Sequence, residues 1–146
     1  MEDIQVDTNI LLRSAEPTHP SHQIAVKSVK TLLNDDVRVC LIPQNLIEFW
    51  NVATRPLENN GFGWTPAKTD VEISRLESLL TVLPDSHAIY DEWRKVVLEN
   101  SVLGKQVHDA RIIAAMNVHQ ITKLLTFNVK DFKRFQHITL IDPRTM

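Results

Sequence analysis

The sequence predicts an α/β domain built on a parallel sheet with helices on both faces, and three observations carry that prediction. Five short segments rich in β-branched and aliphatic residues recur along the chain, at Ile4–Val6, Val37–Ile42, Leu80–Leu83, Lys123–Phe127 and Ile138–Ile141. Stretches with helical spacing lie between them, the alternation of a sheet whose strands are joined by crossover helices. With 146 residues, 43% of them hydrophobic and 23% charged, the chain has the size and apolar content of one domain spanning residues 1–146.

The first strand, Ile4-Gln5-Val6, runs into Asp7-Thr8-Asn9, three residue types that cap helices well, so a strand-to-helix turn is expected there. His19 and His22 stand three apart with no further metal-type ligand nearby in sequence, and read as exposed imidazoles at a helix start rather than a zinc site. The second strand carries the only cysteine, Cys40, which reads as a buried free thiol and excludes an intramolecular disulfide. In the helix that follows, Leu46, Phe49, Trp50 and Ala53 form the apolar stripe. Ile47 and Val52 lie outside that stripe, as expected if a second surface packs there, and a homodimer contact is the expectation for it.

The segment from Arg55 to Trp64 contains two of the three glycines and is expected to be a mobile loop displaying aromatics. Thr65-Pro66 then supplies an N-cap with proline at the first helical position. Pro84-Asp85 closes the third strand ahead of a helix over Ala88–Glu99. Before the fourth strand, Asp109, Ile112, Ile113 and Met116 make one helical stripe that should face the sheet.

Composition excludes some functions. The formal charge of −2 gives no general polyanion-binding surface, so any nucleic-acid contact must be local. No apolar run approaches the ~20 residues a membrane helix needs, and the acidic start Met1-Glu2-Asp3 does not resemble a signal peptide. A soluble protein of the reducing cytoplasm is expected. No Gly-x-Ser-x-Gly motif points to a serine nucleophile.

The carboxylates are more informative, because open α/β sheets bind ligands beyond the carboxyl ends of their strands, where strand order reverses. Asp7 follows strand one, Glu48 lies in the first turns after strand two, Asp109 opens the helix before strand four, and Asn128 and Asp131 follow strand four. A carboxylate heading an apolar stripe, as Asp109 does, needs compensation, either from a cation or from the free amides of the helix start. Periodicity does not select Glu48, which points away from its helix's apolar stripe. Clustered carboxylates either take up protons or hold a divalent cation, and an oxygen-only set favours Mg²⁺ or Mn²⁺ over zinc.

Four segments together resemble a known family: Val6-Asp7-Thr8-Asn9, Pro43-Gln44-Asn45-Leu46-Ile47-Glu48-Phe49-Trp50, Val107-His108-Asp109-Ala110, and Leu125-Thr126-Phe127-Asn128-Val129-Lys130-Asp131-Phe132. The chain resembles, over essentially its whole length, PIN-domain proteins of the VapC toxin type. The resemblance implies a three-layer fold with a five-stranded parallel sheet in the order 3-2-1-4-5. It also implies Mg²⁺-dependent endonucleolytic cleavage of RNA leaving a 5′-phosphate, and inhibition by a cognate antitoxin. Carried over by motif, Asp7, Glu48 and Asp109 are the core catalytic and metal-binding acids, with Asp131 the fourth. Some family members place the last acid where this chain has Asn128, so Asn128 stands as the alternative ligand or a substrate contact.

Thr8 and Asn9 are expected to cap the turn or touch water or phosphate. Arg111, with Lys105, Arg13, Lys130, Lys133 and Arg134, reads either as a solvated charged face or as a track for RNA phosphates. Phe62, Trp64 and Phe132 read as packing residues or as stacking partners for unpaired bases. His108 is adjacent to Asp109 but off its stripe. Competing readings are a PIN nuclease of RNA processing without an antitoxin, a degenerate PIN binding module, and a haloacid-dehalogenase-type phosphatase using Asp7 as phosphoryl acceptor. The last expects a second aspartate where this chain has Asn9.

Overall fold

A computed structural model describes residues 1–146. Strands β1 (Asp3–Val6), β2 (Arg38–Leu41), β3 (Thr81–Val82), β4 (Lys123–Leu125) and β5 (Thr139–Ile141) form one sheet in the order β3-β2-β1-β4-β5. Every pairing is parallel. Except for β1, the strands are shorter than the apolar runs that announce them, since residues beyond their ends keep the apolar pattern while the ladder thins. Single bonds still extend the sheet, from Asp7 N–H to the Leu125 carbonyl and from Leu83 N–H to the Leu41 carbonyl.

Helices α1 (Thr8–Ser14), α2 (His22–Asn34), α3 (Pro43–Thr54), α4 (Pro66–Leu79), α5 (His87–Glu99), α6 (Val107–Val118) and the single-turn α7 (Val129–Phe132) connect and cover the strands. Strand residues alternate between the two faces. Ile4, Val6, Val39 and Leu41 enter one core with Ile10 and Leu11 of α1, Phe49 and Ala53 of α3 and Leu76 of α4. Cys40, Ile42 and Leu124 enter the other, with Ile89 and Val96 of α5 and Ile112, Ile113 and Met116 of α6. Helix α6 is buried nearly all round, wider than the stripe its spacing predicts, because α5 packs on its outer side. No helix is long and apolar enough to cross a membrane.

Three expectations change. Residues 55–64 are not a loose loop displaying aromatics: Phe62 N–H bonds to the Val52 carbonyl, Gly63 N–H to that of Arg55 and Trp64 N–H to that of Ala53. Those bonds fold the segment back on α3, where half-buried Phe62 and Trp64 make edge contacts with buried Phe49 at ring separations of 6.4 and 6.1 Å. Of the two readings of Phe132 the packing one holds, since it is fully buried and has no face for a base. His19 and His22 are half-buried, His19 Nδ1 accepting from Ser21 N–H and His22 Nδ1 lying 3.0 Å from the Arg13 carbonyl. Val52 packs on its own core and leaves Ile47, 69% exposed, as the α3 residue facing out.

Gly61 is required by close approach, since a Cβ there would lie 2.1 Å from the Arg55 carbonyl oxygen. Backbone cannot yield as a side-chain tip does. Gly61→Ala is therefore expected to cost about 1–3 kcal/mol by displacing the 55–64 segment, read as a lower urea midpoint with blue-edge tryptophan fluorescence lost. An unchanged midpoint would show that the segment contributes nothing to the core.

Candidate active site

In this strand order the chain leaves β1 toward β2 and β3, then returns past β1 to β4 and β5. The carboxyl end of β1 is thus the point where strand order reverses, the place where open α/β sheets bind ligands. Asp7 sits at that end. It is buried, 6% exposed, and is also the N-cap of α1. Its Oδ1 accepts from Thr8 N–H at 2.8 Å, and its Oδ2 accepts from the Thr126 hydroxyl at 2.7 Å and the Asn9 amide at 3.3 Å. Capping and site chemistry are served by one carboxylate.

Even so, burial raises the Asp7 carboxyl to about 6, against the lowering bonds from Thr126 and Thr8, with Glu48 and Asp131 adding repulsion. Asp109, half-buried in the first turn of α6, is raised to about 7 by burial and by Asp7, Asp131 and Glu48, with Lys105 opposing weakly. Asp7 and Asp109 both feel Glu48 and Asp131. None of the four forms an ion pair with a basic side chain. The tertiary fold thus brings Asp7, Glu48, Asp109 and Asp131 within electrostatic reach of one another, from α1, α3, α6 and α7.

Glu48 is half-buried and held at both oxygens. The Thr8 hydroxyl donates to Oε1 at 2.6 Å and the Gln44 amide to Oε2 at 3.2 Å. Behind Thr8 stands Asn45, fully buried, whose amide donates to the Thr8 hydroxyl oxygen at 3.0 Å while its Oδ1 accepts from Gln5 Nε2 and Ile42 N–H, each at 2.9 Å. Gln44 also donates to the His108 carbonyl and accepts from Arg111 at 3.1 Å, tying α3 to α6. Arg111 reaches Asp85 as well, at 3.3 Å. Asp131 is exposed and Asn128 is exposed, its backbone N–H donating to Thr126 Oγ1 at 2.9 Å.

Thr126 and Asn45 were not singled out by sequence reasoning. Both are fully buried polar residues inside apolar surroundings, and a polar residue at the end of a predicted buried strand was the available signal. Asn45→Ala is expected to cost about 2–3 kcal/mol, because it strands the Gln5 amide and Ile42 N–H without their partner. It should also loosen Thr8 and Glu48. Urea unfolding checks the first effect, and an unchanged midpoint would show that the network adds no stability.

The donors are all hard oxygens, and neither Asp7 nor Asp109 forms an ion pair with a basic side chain. That is the chemistry of a Mg²⁺ or Mn²⁺ site. No three His, Cys, Asp or Glu side chains converge as a closed ligand cage, and Glu48 is hydrogen-bonded to Thr8 and Gln44. Mg²⁺ keeps several waters and needs only one or two protein carboxylates, so an open pair such as Asp7 and Asp109 fits it.

A parallel α/β/α domain with acids at the carboxyl end of its central strand defines an open α/β fold with a candidate ligand site at the topological switch point. A model of the PIN domain matches residues 4–138, and the chain belongs to the PIN-domain family. Among solved structures it is similar to VapBC2 from Rickettsia felis bound to a promoter DNA fragment, with TM-score 0.70 and 16% identity over 95% of this chain and 97% of that one. It is similar to FitAcB from Neisseria gonorrhoeae, with TM-score 0.69 and 18% identity over 98% and 99%. It also resembles Mycobacterium tuberculosis VapC20, a sarcin-ricin loop cleaving toxin, with TM-score 0.63 and 17% identity over 89% and 93%. At these identities the likeness is one of fold. No relative among curated proteins matches the chain.

Proposed function

We propose that this chain is a metal-dependent endoribonuclease of the VapC type, the toxin of a toxin–antitoxin pair, cutting RNA at exposed single-stranded sites. The observation that carries this reading is the set of four carboxylates, Asp7, Glu48, Asp109 and Asp131, at the carboxyl end of the central strands with no basic side chain paired to any of them. PIN-family membership and the fold shared with toxin–antitoxin structures support it. A cognate antitoxin, a second copy of this chain on the Ile47 face of α3, and a cytoplasmic location belong to the same reading.

Asp7 and Asp109 would hold the cation, with Glu48 and Asp131 completing the negative field. When bound, Mg²⁺ supplies Lewis-acid stabilisation of charge developing at a phosphodiester and a hydroxide-like nucleophile at neutral pH. The protein supplies orientation. Thr126, Asn9 and the Thr8 amide hold the Asp7 carboxylate in one rotamer, and Thr8 with Gln44 hold that of Glu48. Lys105, near Asp109, and Arg111, bonded to Gln44, would meet the flanking phosphates and steer a polyanion toward an acidic centre.

The test is cleavage of end-labelled single-stranded RNA with Mg²⁺ and with chelator, alongside growth of cells expressing this chain alone. Cleavage only with the metal, and growth arrest relieved by a co-expressed antitoxin, are the expected results. RNA left intact under both conditions would overturn the nuclease reading, and normal growth would overturn the toxin part. The exposed Asn128, where some relatives carry the last acid, favours a second reading as a PIN binding module without catalysis. Asn128→Ala and Asp131→Asn separate the two: loss of cleavage with Asp131→Asn alone assigns the fourth acid.

A further inference from the structure

We propose that the cleft formed by Tyr90, Trp93, Val107, His108 and Arg111 is a base-stacking subsite that seats one unpaired nucleobase of the RNA beside the carboxylate cluster. The inference rests on the nuclease reading above. Tyr90 carries it first: every other aromatic in the chain is buried or half-buried, whereas Tyr90 on α5 is 55% exposed. Its ring stacks on Trp93 with centroids 6.0 Å apart and planes inclined by 29°. Trp93 is held by its own indole N–H, which donates to the Val107 carbonyl at 2.8 Å. The pair is therefore ordered before any base arrives, and little conformational freedom is lost on binding.

Position is the second argument. Val107 and His108 open α6, and the next residue is Asp109. The His108 carbonyl accepts from Gln44, whose amide also holds Glu48, and Arg111 donates to the same Gln44 side chain. Two residues of the cleft, His108 and Arg111, are thus tied through Gln44 to Glu48. On this proposal a phosphodiester at the acids and a base at the cleft would belong to one strand, because His108 of the cleft immediately precedes Asp109.

Size and charge select the occupant. The cleft, about 320 Å³, is at the small end for a ligand pocket and admits one ring system rather than a duplex edge. It is open on one side to solvent, apolar on its floor, and rimmed by the guanidinium of Arg111, whose only carboxylate partner is the exposed Asp85 at 3.3 Å. An apolar aromatic floor with a cation at its rim matches a base joined to a phosphate. Every nucleobase has a π-face, so such a platform tolerates sequence while requiring an unstacked strand.

The test uses the Asp7→Asn protein with Mg²⁺ and a mixed-sequence single-stranded RNA of about 12 nucleotides carrying a fluorescent adenine analogue at successive positions. One position is expected to show stacking quench. Tyr90→Ala added to that protein should abolish the quench and weaken the dissociation constant about 10-fold or more, whereas Tyr90→Phe should keep both, and the exposed Leu98→Ala on the same helix should change neither. Unaltered quench or affinity in Tyr90→Ala overturns the proposal, as does an RNA that binds nowhere on the protein. A Tyr90→Ala variant that instead sediments as a smaller species than its parent shows the cleft to be an interface between copies, and also overturns it. Failure of the nuclease reading looks different: RNA bound with the quench yet never cut by the unsubstituted protein leaves the platform standing. RNA cut equally by the Tyr90→Ala chain and the unsubstituted one removes the platform and leaves the nuclease.

Discussion

Asp7→Asn and Asp109→Asn are each expected to lower kcat/KM for single-stranded RNA by about 10³-fold, or roughly 4 kcal/mol of transition-state stabilisation. Each removes a unit of charge from a site that must hold a divalent cation against water. The asparagine amide is nearly the size of the carboxylate, so the change is electrostatic and not steric. At position 7 the amide can still accept from Thr8 N–H and donate to Thr126, so the α1 cap survives. Circular dichroism should show the native helix content in both variants. The exposed Asp70→Asn on α4 should cut RNA as the unsubstituted chain does. Cleavage surviving in both single variants would sink the carboxylate mechanism.

The second large effect concerns stability without metal. In the folded chain Asp7 titrates at about 6 against 3.8 for the free side chain, chiefly because burial disfavours its charged form. A carboxyl raised on folding binds its proton more tightly in the native state. Its contribution is then fully present below the unfolded pKa and lost as pH rises through the folded one. The metal-free protein should lose on the order of 3 kcal/mol from Asp7 between about pH 4 and about pH 7. Asp109, raised to about 7 by burial and the neighbouring acids, acts in the same direction.

Thermal unfolding with chelator should therefore give a higher Tm at about pH 5 than at about pH 8, the reverse of a domain stabilised by salt-bridged carboxylates. Added Mg²⁺ or Mn²⁺ should raise Tm most at the higher pH, because only ionised acids bind it and binding to the native state alone stabilises by mass action. Asp7→Asn should flatten the profile and melt higher than the unsubstituted metal-free chain at about pH 8. A flat profile in the unsubstituted protein would show that the acids are already compensated.

Much of the fold was legible because its signals are local. A parallel sheet covered on both faces forces near-continuous apolar runs at the strands, and Val37–Ile42 and Lys123–Phe127 are such runs. Strand ends blurred for the same reason, since Leu80 and Leu83 are buried whether or not they join the ladder. Asp7 was legible from the turn it starts, and Asp109 from the stripe it heads. Glu48 was not legible from periodicity: it faces the hydroxyl of Thr8 from another helix, a contact across forty positions of sequence.

The errors have one cause as well. Phe62 and Trp64 carry no mark distinguishing a ring that packs from a ring displayed to solvent, and glycines at 61 and 63 look the same in a mobile loop as in a segment pressed against its own carbonyls. Tyr90, which stays exposed, looked no different from them in sequence.

The sequence by itself determined the alternation of strands and helices, the apolar faces and the residue types able to form an oxygen-ligand site, because each follows from short-range periodicity and side-chain chemistry. Only the tertiary structure decided that Thr126 braces Asp7, that Asn45 and Thr8 brace Glu48, and that Tyr90 faces solvent. Those contacts join positions far apart in the chain. Burial, which raises the Asp7 carboxyl and hides Phe132, is a property of the whole packed domain and of no segment within it.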